Sequence, residues 1–190
     1  ELTFNHYHKN YERIGEIYQH QARADGGVNT VTSGCGPLGG ELKASYAGDF
    51  RHVVRMWWES SHILSIGDHK VSQIGTFMDG EVLEMLSFNM LRGDWSALKD
   101  PASVVLSESA ATALFGTTDP IGKMIRIDNA FDVKITGVYE DIPGNSRFHS
   151  LQFISTWDFW VSQNFWMKAE QENWRNTLTT LVQIQPNTTF

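Results

Sequence analysis

The chain has 190 residues, 41% hydrophobic and 19% charged, with 15 Lys plus Arg against 22 Asp plus Glu for a formal net charge of −7. That is apolar material for one sizeable domain or two small lobes sharing a core, which excludes a disordered tail. The acidic balance, without a basic stripe, argues against nucleic acid or an anionic membrane surface as partner, and the single cysteine, Cys35, excludes an internal disulfide framework.

The opening stretch "FNHYHKNYERIGEIYQHQ" reads as a short helical turn followed by a strand from about Ile14 to His20. A Gly- and Thr-rich loop spans Asp25 to Gly36. Pro37 then suits the first position of a helix, where its missing N–H costs nothing. Leu38, Leu42 and Tyr46 fall four apart and predict one apolar stripe, while Gly39 and Gly40 weaken the helix. "HVVRMWWES", "SHILSIGD" and "KVSQIGTFM" are β-rich runs divided by polar residues, a meander of strands. Asp79 is placed to cap a short helix, "GEVLEML", with Val82, Leu83 and Leu86 inward, and Gly93 breaks the stretch that follows.

"SVVLS" is a continuous apolar run of strand length, predicted to be covered on both faces. Ser107 caps the helix "ESAATALF", whose Ala110, Ala111, Leu114 and Phe115 share a side, and Gly116 ends it. In "FDVKITG", Phe131, Val133 and Ile135 alternate with Asp132, Lys134 and Thr136, the signature of a half-buried strand. "DNA" before it is a hairpin turn joining it to "MIRID". Late in the chain, "STWDFWVSQ" opens on Ser155 with Asp158 three residues on, a capping-box variant, and the final strand is "TLTTLVQIQ".

"GTTDPIGKM", residues 116–124, invites comparison with a phosphate-gripping loop. Such a loop needs four residues between its glycine and Gly-Lys, then Ser or Thr for magnesium. Here five intervene and Met124 follows Lys123. The order is also inverted, since Gly116 closes a helix where a phosphate loop would open one. The stretch is a rigid helix-to-strand turn. His6 and His8 project on one side of an extended segment, but two ligands do not complete a metal site. The pairs Glu140–Asp141 and Glu81–Glu84 read as solvated charges, because acid–base work needs two carboxylates in differently tuned environments. No nucleophile elbow, zinc-protease helix or dinucleotide fingerprint is present. Nothing in these patterns asks for a catalytic residue, cofactor or metal, and an enzyme with an unrecognised site stays open as a further reading.

Aromatics stand out. Trp57 and Trp58 are adjacent, so in a strand one points in and one out. Trp157, Trp160, Trp166 and Trp174 crowd the C-terminal third. Core packing is one reading. The other is an exposed platform for a sugar, a hydrophobic ligand or a partner protein, with Trp157, Trp160, Trp166 and Trp174 as the candidate surface.

The pieces "HKNYERI", "FMDGEVLEMLSFNMLRGD", "DPASVVLSES", "ALFG", "DPIGKMIRID", "ITGVYEDIPGNS" and "TLVQI" stand in an order that resembles the MacB-like periplasmic core domain of FtsX-like ABC transporter permeases, in the form abundant in Bacteroidetes. Residues 21 to 75 match more loosely, "RIGEIY" carries a glycine where the family has a bulkier residue, and residues 157 to 174 are individual to this chain. The resemblance implies an α+β fold, a two-lobed periplasmic core domain with β-α-β units and mixed sheets. It implies one such domain over residues 1–190, with two subdomains, lying between the first two transmembrane helices of an inner-membrane permease. Both ends of the chain look cut from a longer protein, as that implies. The expected role is non-catalytic, relaying ATP-driven motion of the membrane part to the periplasm for export or envelope maintenance. The partners implied are its own transmembrane helices, a cytoplasmic ATP-binding protein, a second permease copy and a periplasmic adaptor, with no nucleic acid. A reading of another class is a ligand-binding or sensory module that uses the Trp-rich surface.

Overall fold

The computed structural model describes residues 4–170 and 178–190. A 3-10 turn at Tyr11–Arg13 leads into β1 (Ile14–Glu16), then β2 (Gln19–Ala22), β3 (Val28–Val31) and helix α1 (Leu38–Ser45). Next come β4 (Phe50–Met56), β5 (Ser60–Ile66), β6 (His69–Met78), α2 (Val82–Met85) and β7 (Met90–Arg92). They are followed by β8 (Ser103–Ser107), α3 (Glu108–Phe115), β9 (Met124–Ile127) and β10 (Phe131–Tyr139). The last elements are β11 (Phe153–Thr156), α4 (Trp157–Gln163), α5 (Phe165–Glu170) and β12 (Thr179–Ile184).

Among the described residues, pairing runs through a separate two-stranded sheet of β2 and β3 and one large mixed sheet, part of which closes on itself. From β6 it passes to β11, β8, β10, β9 and β5, and β5 pairs again with β6. From β6 the sheet also continues outward through β4 and β12 to β1. β8 and β10 are parallel neighbours, joined across α3 and β9, which is a β-α-β unit with an inserted strand. β6 and β11 are parallel as well.

Two apolar cores lie on opposite faces of the central strands. Phe77, Val104, Leu106 and Phe153 enter one, with Leu64, Ile125, Ile127, Val133, Ile135 and the buried side of α3. Met78, Val105 and Ile154 enter the other, with Val54, Leu83, Phe88, Tyr139 and Leu181. Successive residues of a strand face opposite ways, so a strand covered on both faces must be apolar throughout. That is the physical meaning of "SVVLS", all five residues of which are buried. In β10 the parity changes partway. Val133 and Ile135 share a face with Val138, and the register against β8 shifts between Ile135 and Gly137. One extra residue at this bulge turns the strand over.

Local predictions hold where the cue is local. Ser107 Oγ accepts from Ala110 N at 3.2 Å, and Asp141 adds a second clamp by accepting from Ser109 N and Oγ. The β9–β10 turn places Asp128 and Asn129 at φ 52° and 56°, the left-handed pair that a tight hairpin needs. Asp128 also fastens the ring of strands. Its carboxylate accepts from Ile63 N at 2.9 Å and meets His62 Nδ1 at 2.5 Å. Ser60 Oγ holds the other His62 nitrogen at 2.8 Å.

Five predictions need correction. The predicted strand from Ile14 to His20 divides, because β1 pairs with β12 while β2 leaves it to pair with β3. The predicted loop from Asp25 to Gly36 contains β3, with Gly26 at φ 82° in the turn. The stripe on α1 is only partly covered, with Leu38 and Leu42 half-buried. Tyr46 is 54% exposed, and the residue buried is Gly39, where a Cβ would lie 2.9 Å from Arg55 Cγ. Asp79 does not cap α2. Its carboxylate is taken by Arg55, through backbone N at 2.8 Å, Nε at 3.0 Å and an Nη at 2.8 Å. The cap of α4 is Thr156, whose Oγ accepts from Phe159 N at 3.4 Å, whereas Ser155 lies in β11 and donates to Ser103 O at 2.8 Å.

Candidate functional site

The tryptophans meet different fates. Trp157 is fully buried, packed with Val161, Met167 and Leu178, and the Arg55 guanidinium lies 5.3 Å from its ring centroid. It belongs to the core and contributes nothing to a surface. Its place at the first turn of α4, directly after a buried strand, turns it inward. Trp160 is half-buried and stacks on Phe77 at 4.2 Å, with its Nε1 enclosed and without a hydrogen-bond partner among the described residues. Trp166 is 48% exposed and meets the edge of Trp57 at 5.4 Å. Trp174 lies outside the described residues.

Two further aromatic residues are exposed. Trp58 is 53% exposed and stacks on Trp57 at 5.2 Å, and Phe165 is 89% exposed. β4 ends at Met56, so residues 57–59 are free of the strand alternation that would have sent the two indoles to opposite sides. Stacked and edge-on rings each add about 0.5–1.5 kcal/mol beyond burial, so this cluster is held firmly while keeping faces in solvent. Phe165 was not legible beforehand: α5 has six residues, too few for periodicity to show which side is out.

A second feature joins the N-terminal segment to the body. His8 is 2% exposed. Its Nδ1 lies 2.6 Å from Leu86 O, so it must carry the proton and donate. Nε2 is then the acceptor, 2.9 Å from Ser146 Oγ, which in turn accepts from Phe148 N. Burial pushes the His8 pKa below its ordinary value, and the bond to Leu86 opposes that in smaller measure. Asn5, at φ 63°, donates its N–H to Asn145 O at 2.8 Å and accepts from Arg147 N at 2.9 Å through its side chain. The Arg147 guanidinium bridges Glu16 of β1 and Glu59 at the β4–β5 junction, 3.3 and 3.0 Å away. Thus "HKNYERI" and "PGNSRF", far apart in the chain, form one joint. The two histidines of the first segment part company there, since His6 stacks on Tyr11 at 4.0 Å.

The joint lies beside the path by which the chain re-emerges. Ile14 pairs with Gln183 and Glu16 with Leu181, so β1 enters the sheet where β12 leaves it. Phe190 packs over Gly15, where a Cβ would meet its ring at 3.0 Å. The glycine of "RIGEIY" therefore leaves the space in which the Phe190 ring rests.

The remaining sequence candidates are occupied structurally. Lys123 sits 4.9 Å from the Phe115 ring centroid, and the N–H of Gly122 donates to Ile135 O, so the 116–124 turn is bound to its own domain. Glu81 accepts from Lys43 at 2.9 Å and lies 3.4 Å from His52 Nδ1, and Glu84 pairs with Arg51 at 2.8 Å. Among the described residues, no group of three or more His, Cys, Asp or Glu could hold a metal ion, and no helix is long and apolar enough to cross a membrane.

The family model of the MacB-like periplasmic core domain matches residues 2–190. Among curated proteins no match is found. The fold is similar to that of a permease-protein domain from Porphyromonas gingivalis, at TM-score 0.76 and 21% identity over 96% of this chain and 77% of that one. It is similar to the periplasmic region of MacB from Actinobacillus actinomycetemcomitans, at TM-score 0.67 and 16% identity over 93% and 77%. The extracellular domain of the noncanonic ABC-type transporter YknZ from Gram-positive bacteria matches at TM-score 0.58 and 17% identity over 82% and 75%.

Proposed function

Because the chain belongs to the family of MacB-like periplasmic core domains, we propose that this periplasmic domain of an ABC transporter permease relays motion. Residues 1–190 form one unit with two subdomains, set between the first two transmembrane helices of an inner-membrane permease. ATP is hydrolysed in a cytoplasmic partner, and movement of the helices is passed through this domain to a second permease copy, an adaptor or cargo in the periplasm.

One observation carries the reading. The first and last strands are hydrogen-bonded neighbours that enter and leave the sheet at the same end, and the N-terminal segment is pinned to the body by Asn5, His8 and Arg147. A pull on either end is then borne by a hydrogen-bonded sheet with two packed cores, which moves as a rigid body instead of stretching. The test is a flexible Gly-Ser insertion between Phe4 and Asn5 in the full-length permease with its ATPase. ATP hydrolysis is expected to persist while transport falls. Transport at the unmodified level would refute the relay.

A second reading rests on the exposed indoles of Trp58 and Trp166. Two large indoles in solvent, both packed on Trp57, suit a periplasmic partner or ligand, since such patches mark contact sites. Trp58→Ser with Trp166→Ser should abolish that contact and leave the fold intact. Partner capture unchanged by the pair would remove this reading.

A further inference from the structure

One element of the fold keeps both of its faces largely in solvent. The chain leaves the edge of the large sheet at Ile17, whose N–H donates to Thr180 O at 3.0 Å, and returns at Gly34, whose N–H donates to Leu178 O at 2.6 Å. Residues 18–33 stand out from that edge as a ribbon, in which β2 pairs with β3. No residue of β2 or β3 is buried, and Val28 is 65% exposed. A two-stranded ribbon is marginal by itself in water.

Its free edge can be read from the ladder. Arg23 N–H donates to Gly27 O at 2.8 Å, so the hydrogen-bonded pairs that follow are Gln21 with Asn29 and Gln19 with Val31. The N–H and C=O of Val28 and Thr30 therefore point away from β2. Among the described residues no backbone group pairs with them. Proteins ordinarily blunt such an edge with lysine, proline or a bulge. β3 has none of these: it reads Val-Asn-Thr-Val, and its register against β2 is unbroken. The formal charges of residues 18–33 are Arg23 and Asp25 at the tip, paired with each other at 2.9 Å.

An open backbone edge is satisfied by another strand, and two features select a copy of the same one. Two domains that each carry −7 approach best through a neutral element. A two-fold contact must also be self-complementary. A two-fold axis at Asn29 makes it so: antiparallel, Val28 faces Thr30 of the other copy and Thr30 faces its Val28, and each outward N–H and C=O of β3 is used. We propose that β3 is a pairing edge to which a second copy of this chain adds its own β3, antiparallel about Asn29, making a four-stranded sheet from two ribbons. Two short strands bury well under the ~1,200 Å² of a lasting complex, so the pair is weak between free domains and strengthens where two copies are held together. The inference does not rest on the relay reading, because its test is run on the free 190-residue protein, with no transport measured.

The native thiol is first removed with Cys35→Ser. Asn29 lies on the axis in a non-hydrogen-bonded pair, where Cα atoms are about 4.5 Å apart and a disulfide can form. Gln21 is on the same face but on β2, so its two copies would be three strand spacings apart, about 14 Å. Under mild oxidation Asn29→Cys should therefore give linked dimer at least about tenfold faster than Gln21→Cys. In the Asn29→Cys protein, Val28→Lys brings two ammonium groups together, and Thr30→Pro removes an outward N–H that the ribbon itself does not use. Each should slow linking to the Gln21→Cys rate, with the NMR signals of the Gln19 and Val31 amides reporting that the ribbon persists. Sedimentation of the unmodified protein should show mass rising toward the dimer as concentration nears millimolar. The proposal is overturned if the protein stays monomeric there, which would leave the edge to a strand of a different protein. It is also overturned if the two cysteine variants link alike, or if Val28→Lys with an intact ribbon links as fast as its parent.

Discussion

Removing His8 should release the N-terminal segment while the rest of the domain stays folded. In His8→Ala the Leu86 carbonyl and the Ser146 hydroxyl lose their partner in a place where His8 is 2% exposed. A buried polar group left unpaired costs about 1–3 kcal/mol, and water entering the vacated space returns part of it. For two such groups the loss is about 2–4 kcal/mol. If residues 4–13 open as a unit, their amide protection falls about 30-fold to 1000-fold, at 1.4 kcal/mol per decade. Hydrogen exchange read by mass spectrometry separates this from global unfolding, since peptides of β8 and β10 should keep their protection. The pH dependence has a definite sign. The folded protein keeps His8 neutral with its pKa below 6.5, so the unfolded chain binds the extra proton. Stability of the segment is then full above about pH 6.5, is lost as pH falls through that value toward the folded pKa, and levels off below it. His8→Ala should lack that slope. Protection of residues 4–13 within threefold of wild type, or an unchanged slope in the variant, would refute the latch.

Gly75→Ala puts a Cβ 2.2 Å from the Phe153 ring, which is wholly buried between Phe77 and His62. Overpacking of this kind costs about 1–3 kcal/mol in denaturant unfolding, and Phe153→Leu should recover part of it in the double variant. Asp79→Ala takes the nearer carboxylate from the Arg55 guanidinium, whose side chain is 22% exposed, and leaves Asp158 at 3.6 Å, so it should cost about 2–4 kcal/mol, less if Arg55→Met is added. Glu81 has its pKa lowered to about 2, chiefly by the hydrogen bond with His52 and then by Lys43. Its contribution is present above the ordinary value of 4.5 and is lost as pH falls from there toward about 2, so Glu81→Gln should flatten acid unfolding in that window. Its carboxylate is 44% exposed, which keeps the effect small.

What the sequence determined by itself was whatever a few neighbouring residues suffice to decide. β8 needed only its unbroken apolar run, α3 its Ser107 cap and apolar side, and the β9–β10 hairpin two residues able to take positive φ. The ordered motifs from "HKNYERI" to "TLVQI" gave the family. The candidate surface was readable as an excess of tryptophan but not as a face. Trp157 and Trp166 carry the same side chain nine positions apart, and one is enclosed while the other stands in solvent. Burial depends on which element lies across the side chain, and neither indole brings that element with it. Tertiary structure alone decided which polar groups met. The two bonds of His8 span 78 and 138 residues, and Asp79, well suited to a local cap, was taken by Arg55 24 residues earlier. A charged acceptor facing a buried guanidinium gains more than one facing a helix N–H in water, so the distant partner won.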